Sequence, residues 1–362
     1  MKIIILSFFS LGILFFLSSC NTQKSATGFE DEIYVVADSS EYAEIEKTMD
    51  STFEKIIYTP QPEKVFTLKR ISPSQIEHYE LKKNIIIAAP LNSNSRTSQF
   101  ISAVVDTVVK DKLEKDSSFI LYKDNLWARN QLVVVLSAPT LTELNDKILH
   151  NSDNLLYAFQ KISDERLFNS LYNPRYEQKK IEGEFLKKYG WVIYVQADYK
   201  LALDKPKDNF VWLRRSPGSD MERWIFVHWI DNATPEYLDK DSIKAIRNRM
   251  TKKYYVTADN SGYVVVAEDY FTVNEVNFNG NYALFTQGLW DLNIKGMGGP
   301  FVNYVFYDEN TKRLYMLDGS VYAPKYYKRN LIQQMDVTLQ SFRTKAELSK
   351  ERKEELLEAA ED

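Results

Sequence analysis

Glu32-Ile33-Tyr34-Val35-Val36-Ala37 is a short apolar run rich in β-branched residues, and it reads as a buried strand. Directly after it, Tyr42, Ile45, Met49, Phe53 and Ile56 recur at three- and four-residue steps, the spacing of one helical face, with Asp38, Ser39 and Ser40 available as caps. A strand feeding an amphipathic helix opens an α/β unit, and the alternation continues outward from it. The turn Pro60-Gln61-Pro62 precedes a strand over residues 65–71. Ser72-Pro73-Ser74-Gln75 has the form of a capping box with proline at the first helical position. Residues 84–89 (NIIIAA) form another buried strand, and Phe100, Val104, Val108 and Leu113 mark a helical face over 99–113. Strands over 119–122 and 131–138 and a helix over 142–161 complete the unit.

The second half follows the same order. Residues 191–197 (WVIYVQA) answer 32–37, residues 210–217 answer 65–73, and the strand over 224–230 answers 84–89. FILYKDN…VVVLSAP (119–139) matches YVFYDEN…LYMLDGSVYAP (304–324), each followed by a helix finishing at Phe159 or Phe342. The expected fold is therefore α/β (α+β): two similar α/β units from an internal duplication, with mostly antiparallel or mixed sheets. The boundaries follow: a signal peptide at 1–19, a lipidated tether at 20–30 and an N-terminal unit at 31–162. A helical connector at 163–190, a C-terminal unit at 191–344 and a charged tail at 345–362, expected to be solvated, complete the chain.

Position in the cell is legible at the start of the chain. Met1 and Lys2 precede fifteen uncharged residues, 3–17, a run too short for a comfortable bilayer span and suited to a secretory signal. Leu17-Ser18-Ser19-Cys20 resembles the bacterial lipoprotein lipobox, in which the cysteine thiol is alkylated with diacylglycerol and becomes the new N-terminus. Two or three acyl chains make a stable anchor where one is marginal. Asn21-Thr22-Gln23-Lys24 lacks the acidic residues that act as a surface-export signal in some Bacteroidetes-type lipoproteins, so the periplasmic face of the outer membrane is expected. Cys20 is the single cysteine, and its lipidation leaves no thiol for disulfides or nucleophilic catalysis.

Composition narrows the chemistry further. The 362 residues are 44% hydrophobic and 27% charged with a net charge of −4, which is normal for a globular chain and offers nothing to attract nucleic acid. His78, His150 and His228 lack metal-ligand spacing and read as surface or helix histidines. The chain has no Gly-x-Ser-x-Gly elbow, no Walker-type loop and no dinucleotide fingerprint. The pairs Glu268/Asp269 and Asp220/Glu222 offer two carboxylates each, but a chain with 50 acids holds such neighbours by chance. No metal, no cofactor and no catalytic residue is expected.

The most unusual local composition is Gln287-Gly288-Leu289-Trp290, then Gly296-Met297-Gly298-Gly299-Pro300-Phe301, then Val321-Tyr322-Ala323-Pro324. Glycines permit close backbone approach, and Trp290 and Phe301 are able to form a flat wall beside them. The expected binding surface comprises Trp290, Gly298, Gly299, Phe301, Arg214, Arg215 and Tyr322; a tight turn with inward aromatics is the competing reading.

These elements, with the Pro60-Gln61-Pro62-Glu63 turn and the closing helix from Lys325, resemble an uncharacterised lipoprotein family of Bacteroidetes-type bacteria, domain of unknown function 4837, across nearly all of the chain after residue 19. This chain has Gln287 where the family usually has an arginine before Gly-Leu-Trp. The resemblance implies an envelope location and supplies no activity. The expected role is a non-catalytic envelope protein, attached to the membrane by its N-terminal lipid, that binds an envelope protein or a cell-wall glycan. The alternative is a hydrolase of envelope polymer that uses acids distant in sequence.

Overall fold

The computed structural model describes residues 23–104 and 119–361. The expected signal peptide, Cys20, and the distal part of the helix expected over 99–113 lie outside the described residues.

The first unit contains β1 (Glu32–Val36), α1 (Ser39–Phe53), β2 (Thr67–Ile71), β3 (Asn84–Ala88), α2 (Arg96–Val104), β4 (Ile120–Asp124), β5 (Leu132–Leu136), α3 (Leu141–His150) and α4 (Ser152–Leu171). Its sheet order is β2-β1-β3-β5-β4, parallel except for β4, which runs antiparallel to β5. Strands β3 and β5 are buried along their whole length, which is why they read as continuous apolar runs. Alternate side chains serve two layers. Ile33, Val35, Ile86 and Val134 meet α1, α3 and α4 through Ile45, Ile148 and Phe159, while Tyr34, Val36, Ile85 and Val133 meet Ile101 of α2.

After α5 (Lys179–Tyr189), the second unit contains β6 (Tyr199–Lys205), β7 (Phe210–Arg215), β8 (Glu222–Asp231), α6 (Lys240–Tyr254), β9 (Val264–Phe278), β10 (Asn281–Leu292), β11 (Gly298–Asp308), β12 (Arg313–Tyr322), α7 (Arg329–Leu339) and α8 (Lys350–Ala359). Its seven strands form one antiparallel sheet in the order β9-β10-β11-β12-β8-β7-β6. Helices α5 and α7 cover one face through Phe185, Tyr189, Leu331, Met335 and Leu339. Helix α6 covers the other through Ile243, Ile246, Met250 and Tyr254.

Mixed α/β architecture with a mixed and an antiparallel sheet is thus what the chain forms, but the halves do not share a topology, and the expectation of a duplicated unit is corrected. In the first half α1 carries the chain back so that β1 and β2 lie parallel, as a crossover connection requires. In the second half β6, β7 and β8 are joined by short turns and so lie antiparallel. Trp191–Val192, the supposed counterpart of β1, pairs instead with Arg343–Thr344. The likeness of 119–139 to 304–324 reflects that both are antiparallel hairpins, a local pattern compatible with either sheet.

Three boundaries also shift. Helix α4 runs unbroken through residue 163, where a connector was expected. Residues 24–27 are hydrogen-bonded to the first unit through Ala26 N to Arg129 O (2.8 Å) and Thr27 N to Leu81 O (2.7 Å), so they are not a free tether. The charged tail is mostly α8, seated on α5: Leu356 is fully buried, Arg352 bonds Glu182 at 2.9 Å, and a side chain at Gly183 would collide with the Leu356 carbonyl.

The units meet at the start of α7. Both oxygens of the buried Glu63 carboxylate accept from the backbone: Lys328 N at 2.8 and 2.9 Å and Arg329 N at 2.8 Å. A carboxylate there satisfies orphan donors and faces the positive end of the helix dipole. Arg329 reaches back, Nε donating to the Val65 carbonyl at 3.0 Å with its guanidinium over the Phe66 ring. Replacing Glu63 with alanine should lower unfolding free energy by about 1–3 kcal/mol in urea titration, with glutamine recovering part of the loss. An unchanged midpoint for Glu63→Ala would show that this cap does not join the units.

Candidate functional site: a cleft between the two units

Helix α4 is two-sided. Leu155, Leu156, Phe159, Ser163 and Arg166 are buried in the first unit. Tyr157, Gln160, Lys161, Asp164, Glu165, Phe168 and Asn169 recur at the complementary helical spacing and line a cavity of about 890 Å³. Across it lie Phe278 at the end of β9, Phe285 of β10, Tyr304 of β11, Asp336 of α7 and Gln340 just after that helix. The opposite wall is an aromatic platform in which the Phe278 and Phe285 rings sit 4.6 and 4.7 Å from Tyr304.

Of the three carboxyl groups that line this cleft, Asp164, Glu165 and Asp336, two are held by hydrogen bonds from its walls. Asp336 Oδ1 accepts from the Tyr304 hydroxyl at 2.6 Å and from Gln340 Nε2 at 3.0 Å. Asp164 Oδ1 accepts from Gln333 Nε2 at 2.7 Å, and the same amide donates to Ser163 Oγ at 2.9 Å. Burial pushes the Asp164 carboxyl up to about 7, and the nearby Asp336 carboxylate adds to the rise, against the Gln333 hydrogen bond and Arg329. Burial likewise raises Asp336, while its bonds from Tyr304 and Gln340 oppose the shift. Among the described residues no cluster of three or more His, Cys, Asp or Glu side chains has metal-holding geometry. The cleft therefore offers aromatic faces, amides and a carboxyl that changes charge near neutrality.

The sequence does not reveal this site, because its residues come from the end of the helix expected over 142–161, from the stretch taken as a connector after it, and from strands more than 100 residues away. The available signal was the exposed polar side of α4, where Tyr157 at 63% and Phe168 at 37% exposure serve no core.

The surface expected from the glycine-aromatic cluster is instead core. Trp290 is fully buried, its Nε1 donating to the Val321 carbonyl at 3.2 Å and its ring 5.0 Å from Trp224. Phe301 lies under Arg247, whose guanidinium is 3.6 Å from the ring centroid and whose Nε donates to Asp318 Oδ2 at 2.7 Å, all buried. The glycines make room for these rings: a Cβ at Gly288 would lie 2.6 Å from the Phe301 ring, and one at Gly299 2.0 Å from the Val321 carbonyl. Of the expected set, Gly298 and Tyr322 line a groove of about 630 Å³ shared with Pro60, Gln61 and Lys328. Arg214 is joined to this core by Glu222, whose Oε2 accepts from Arg214 Nη2 and from Trp224 Nε1. Arg215 leaves on the other sheet face, bonded to Gln196 and Asp198.

The remaining sequence candidates are also accounted for. Glu268 is paired with Lys244 and Asp220 with Lys325, so neither acid pair faces its neighbour across a cleft. His228 is no surface residue: it is buried on β8 with Nδ1 2.9 Å from the Asn209 carbonyl, and burial holds its ring down to about 4. His150 is exposed on α3, as expected of a helix histidine.

Fold and site together define a two-unit α/β protein whose cleft draws its walls from both units. The chain contains two domains of unknown function: residues 177–341 match domain of unknown function DUF4837, and residues 26–172 match domain of unknown function DUF8532. The DUF4837 likeness is therefore confined to the second unit rather than spread over nearly the whole chain. No curated protein matches the chain. Among solved structures, the Ran-binding protein Mog1p of Saccharomyces cerevisiae is similar at 11% identity over 43% of this chain and 90% of that one, with a TM-score of 0.29. A mutant form of Mog1 matches with the same values.

Two measurements test this assignment of core and cleft. Gly299→Ala should destabilise the protein by roughly 1–3 kcal/mol through overpacking, whereas an unaltered melting temperature would mean that the glycine cluster is not packing-limited. Asp164 binds its proton more tightly folded than unfolded, so its protonated form favours the fold and stability declines as pH rises from about 4 to about 7. Asp164→Asn should flatten that decline in thermal melts, leaving the variant more stable than wild type by roughly 1–3 kcal/mol above pH 7 and little different near pH 4.

Proposed function

We propose that this protein is an envelope lipoprotein, anchored through Cys20 at the periplasmic face of the outer membrane, that binds a glycan chain in the inter-unit cleft without transforming it. The observation that carries the reading is the pairing of exposed Tyr157 and Phe168 with the Phe285 and Tyr304 platform across a cavity of about 890 Å³ rimmed by Gln160, Asn169, Asn277 and Gln340. Sugar rings present C–H faces to aromatic surfaces and hydroxyls to amides and carboxyls, and this lining matches both. The lipobox Leu17-Ser18-Ser19-Cys20 supports the anchor, and the lack of acids at residues 21–24 supports the periplasmic side.

A second reading, hydrolysis of the same polymer, draws on Asp164, whose raised protonation range suits a general acid with Asp336 in the same cleft. The carboxylate of Asp336 is already engaged by Tyr304 and Gln340 and so is not free to act as nucleophile or base, which makes binding the better-supported role.

Calorimetric titration with soluble peptidoglycan fragments should give saturable binding that Tyr157→Ala and Phe168→Ala each weaken by about tenfold, with melting temperature unchanged for Tyr157→Ala, whose ring is exposed, and lowered for Phe168→Ala, whose ring stacks on Tyr172. Affinity unaffected by both substitutions would sink the cleft assignment. Release of reducing ends from purified peptidoglycan, abolished by Asp164→Asn, would decide for hydrolysis. Cys20→Ala should leave the precursor uncleaved and out of the detergent phase; recovery of a mature, detergent-phase protein from that variant would overturn the anchor.

A further inference from the structure

We infer that the amino end of the first unit's parallel sheet, around the loop at residues 125–130, is the surface this protein lays against an anionic phospholipid bilayer. The inference rests on the proposed lipidation of Cys20 and goes beyond it to the protein's orientation.

Its first support is the length of chain between anchor and fold. Gln23 Nε2 already donates to the Asn125 carbonyl at 2.9 Å, Arg129 N donates to the Lys24 carbonyl at 2.8 Å, and Arg129 Nη2 reaches Ser25 Oγ at 3.3 Å. Residues 25 and 27 bridge to Arg129 and Lys82 in strand fashion. Only Asn21 and Thr22 lie between Cys20 and this docked stretch. Three Cα steps span at most about 11 Å, so a lipid on Cys20 holds the loop within about a Debye length of the headgroups.

The second support is that the loop is built to keep its shape. Buried Gln131 accepts from Trp127 N at 2.9 Å through Oε1 and donates to the Lys82 carbonyl at 2.7 Å through Nε2, tying the loop to the entry of β3. Asn130 N donates to Asn125 Oδ1 at 2.6 Å, with both asparagines in the left-handed region. Exposed on this loop and on the segment that leads into β1 are Leu126 at 44% and Phe29 at 67%, together with the cations Lys24 and Arg129. Neither cation is in a salt bridge with the described residues, whereas the nearby Glu30 is engaged by Lys83 and Arg166. Exposed apolar side chains together with cations held by no salt bridge suit the headgroup region of an anionic bilayer.

The test uses the lipidated full chain in phosphatidylethanolamine–phosphatidylglycerol vesicles. With Cys20 acylated, Leu126→Cys and Asn94→Cys each supply one thiol for an environment-sensitive fluorophore. Residue 94 follows β3 at the carboxyl end of the parallel strands, opposite the loop. Vesicle flotation and the N-terminal mass report the anchor, and quenching by headgroup spin labels reports the loop. The expected result is floating protein with strong quenching at 126 and little at 94. Adding Lys24→Glu or Arg129→Glu should cut the contacting fraction at 126 by about fivefold each. Floating protein with equal or absent quenching at both positions overturns the orientation and leaves the anchor standing. Protein that neither floats nor carries lipid mass overturns the anchor and the orientation together.

Discussion

The Glu63 carboxylate on the first turn of α7 is the contact on which the rest of the arrangement depends. Helix α7 covers the antiparallel sheet through Leu331, Met335 and Leu339, and it also supplies Asp336, with Gln340 just after it, to the cleft. Its amino end is closed by a side chain from the other unit, so the helix that roofs one core is capped by the second. A buried carboxylate without those amide donors would face a desolvation penalty of several kcal/mol, and amide donors without the carboxylate would be orphaned. Each unit therefore satisfies a polar debt of the other. The two matched segments of this chain are in this respect physically complementary.

The cleft exists because α4 has two masters. Its inner side is committed to Phe159 and its neighbours beneath β1 and β3, which fixes the helix axis. Its outer side then stands opposite Phe278, Phe285 and Tyr304 with the cavity between them. Continuous apolar packing would have closed that space; polar and ionisable residues at 160, 161, 164 and 165 keep it open. A further groove, lined by Tyr122, Asn125 and Gln131, shares Lys161 and Glu165 with the cleft, so α4 separates the cavity from the loop proposed to face the bilayer.

How much of this the sequence disclosed depended on whether the signal was local. β-Branched runs such as 84–88 and 132–136 announced buried strands, and the three-and-four spacing from Tyr42 to Phe53 announced α1. Whether neighbouring strands lie parallel is set by what connects them, and strand composition does not record it; that is how residues 65–71 and 210–215 passed for equivalents. The glycine-aromatic cluster was visible, but a glycine that admits a ligand and one that admits Phe301 look alike in one dimension. The cleft was invisible for the opposite reason. Its walls are ordinary residues whose meaning appears only when α4 faces a sheet formed more than 100 residues later.

One side chain, Gln333, ties recognition to integrity. Gln333 bonds Arg329 Nη1 through its carbonyl oxygen at 2.7 Å and Asp164 and Ser163 through its amide, so the network that seals the capped start of α7 continues into the cleft wall. A ligand that requires both walls binds only the joined units and so stabilises the joint by mass action, about 2.7 kcal/mol at a hundredfold excess over Kd. By the same linkage, anything that loosens the joint weakens the ligand, even when it touches no ligand atom. Asp164 sits where the two meet: its ionisation places a charge beside the raised Asp336 at the inter-unit contact, and a hydroxyl or cation offered by a ligand would relieve that charge. Binding in this cleft is thus expected to grip the two units more firmly at neutral pH than at acid pH, because there Asp164 adds its own charge to be relieved.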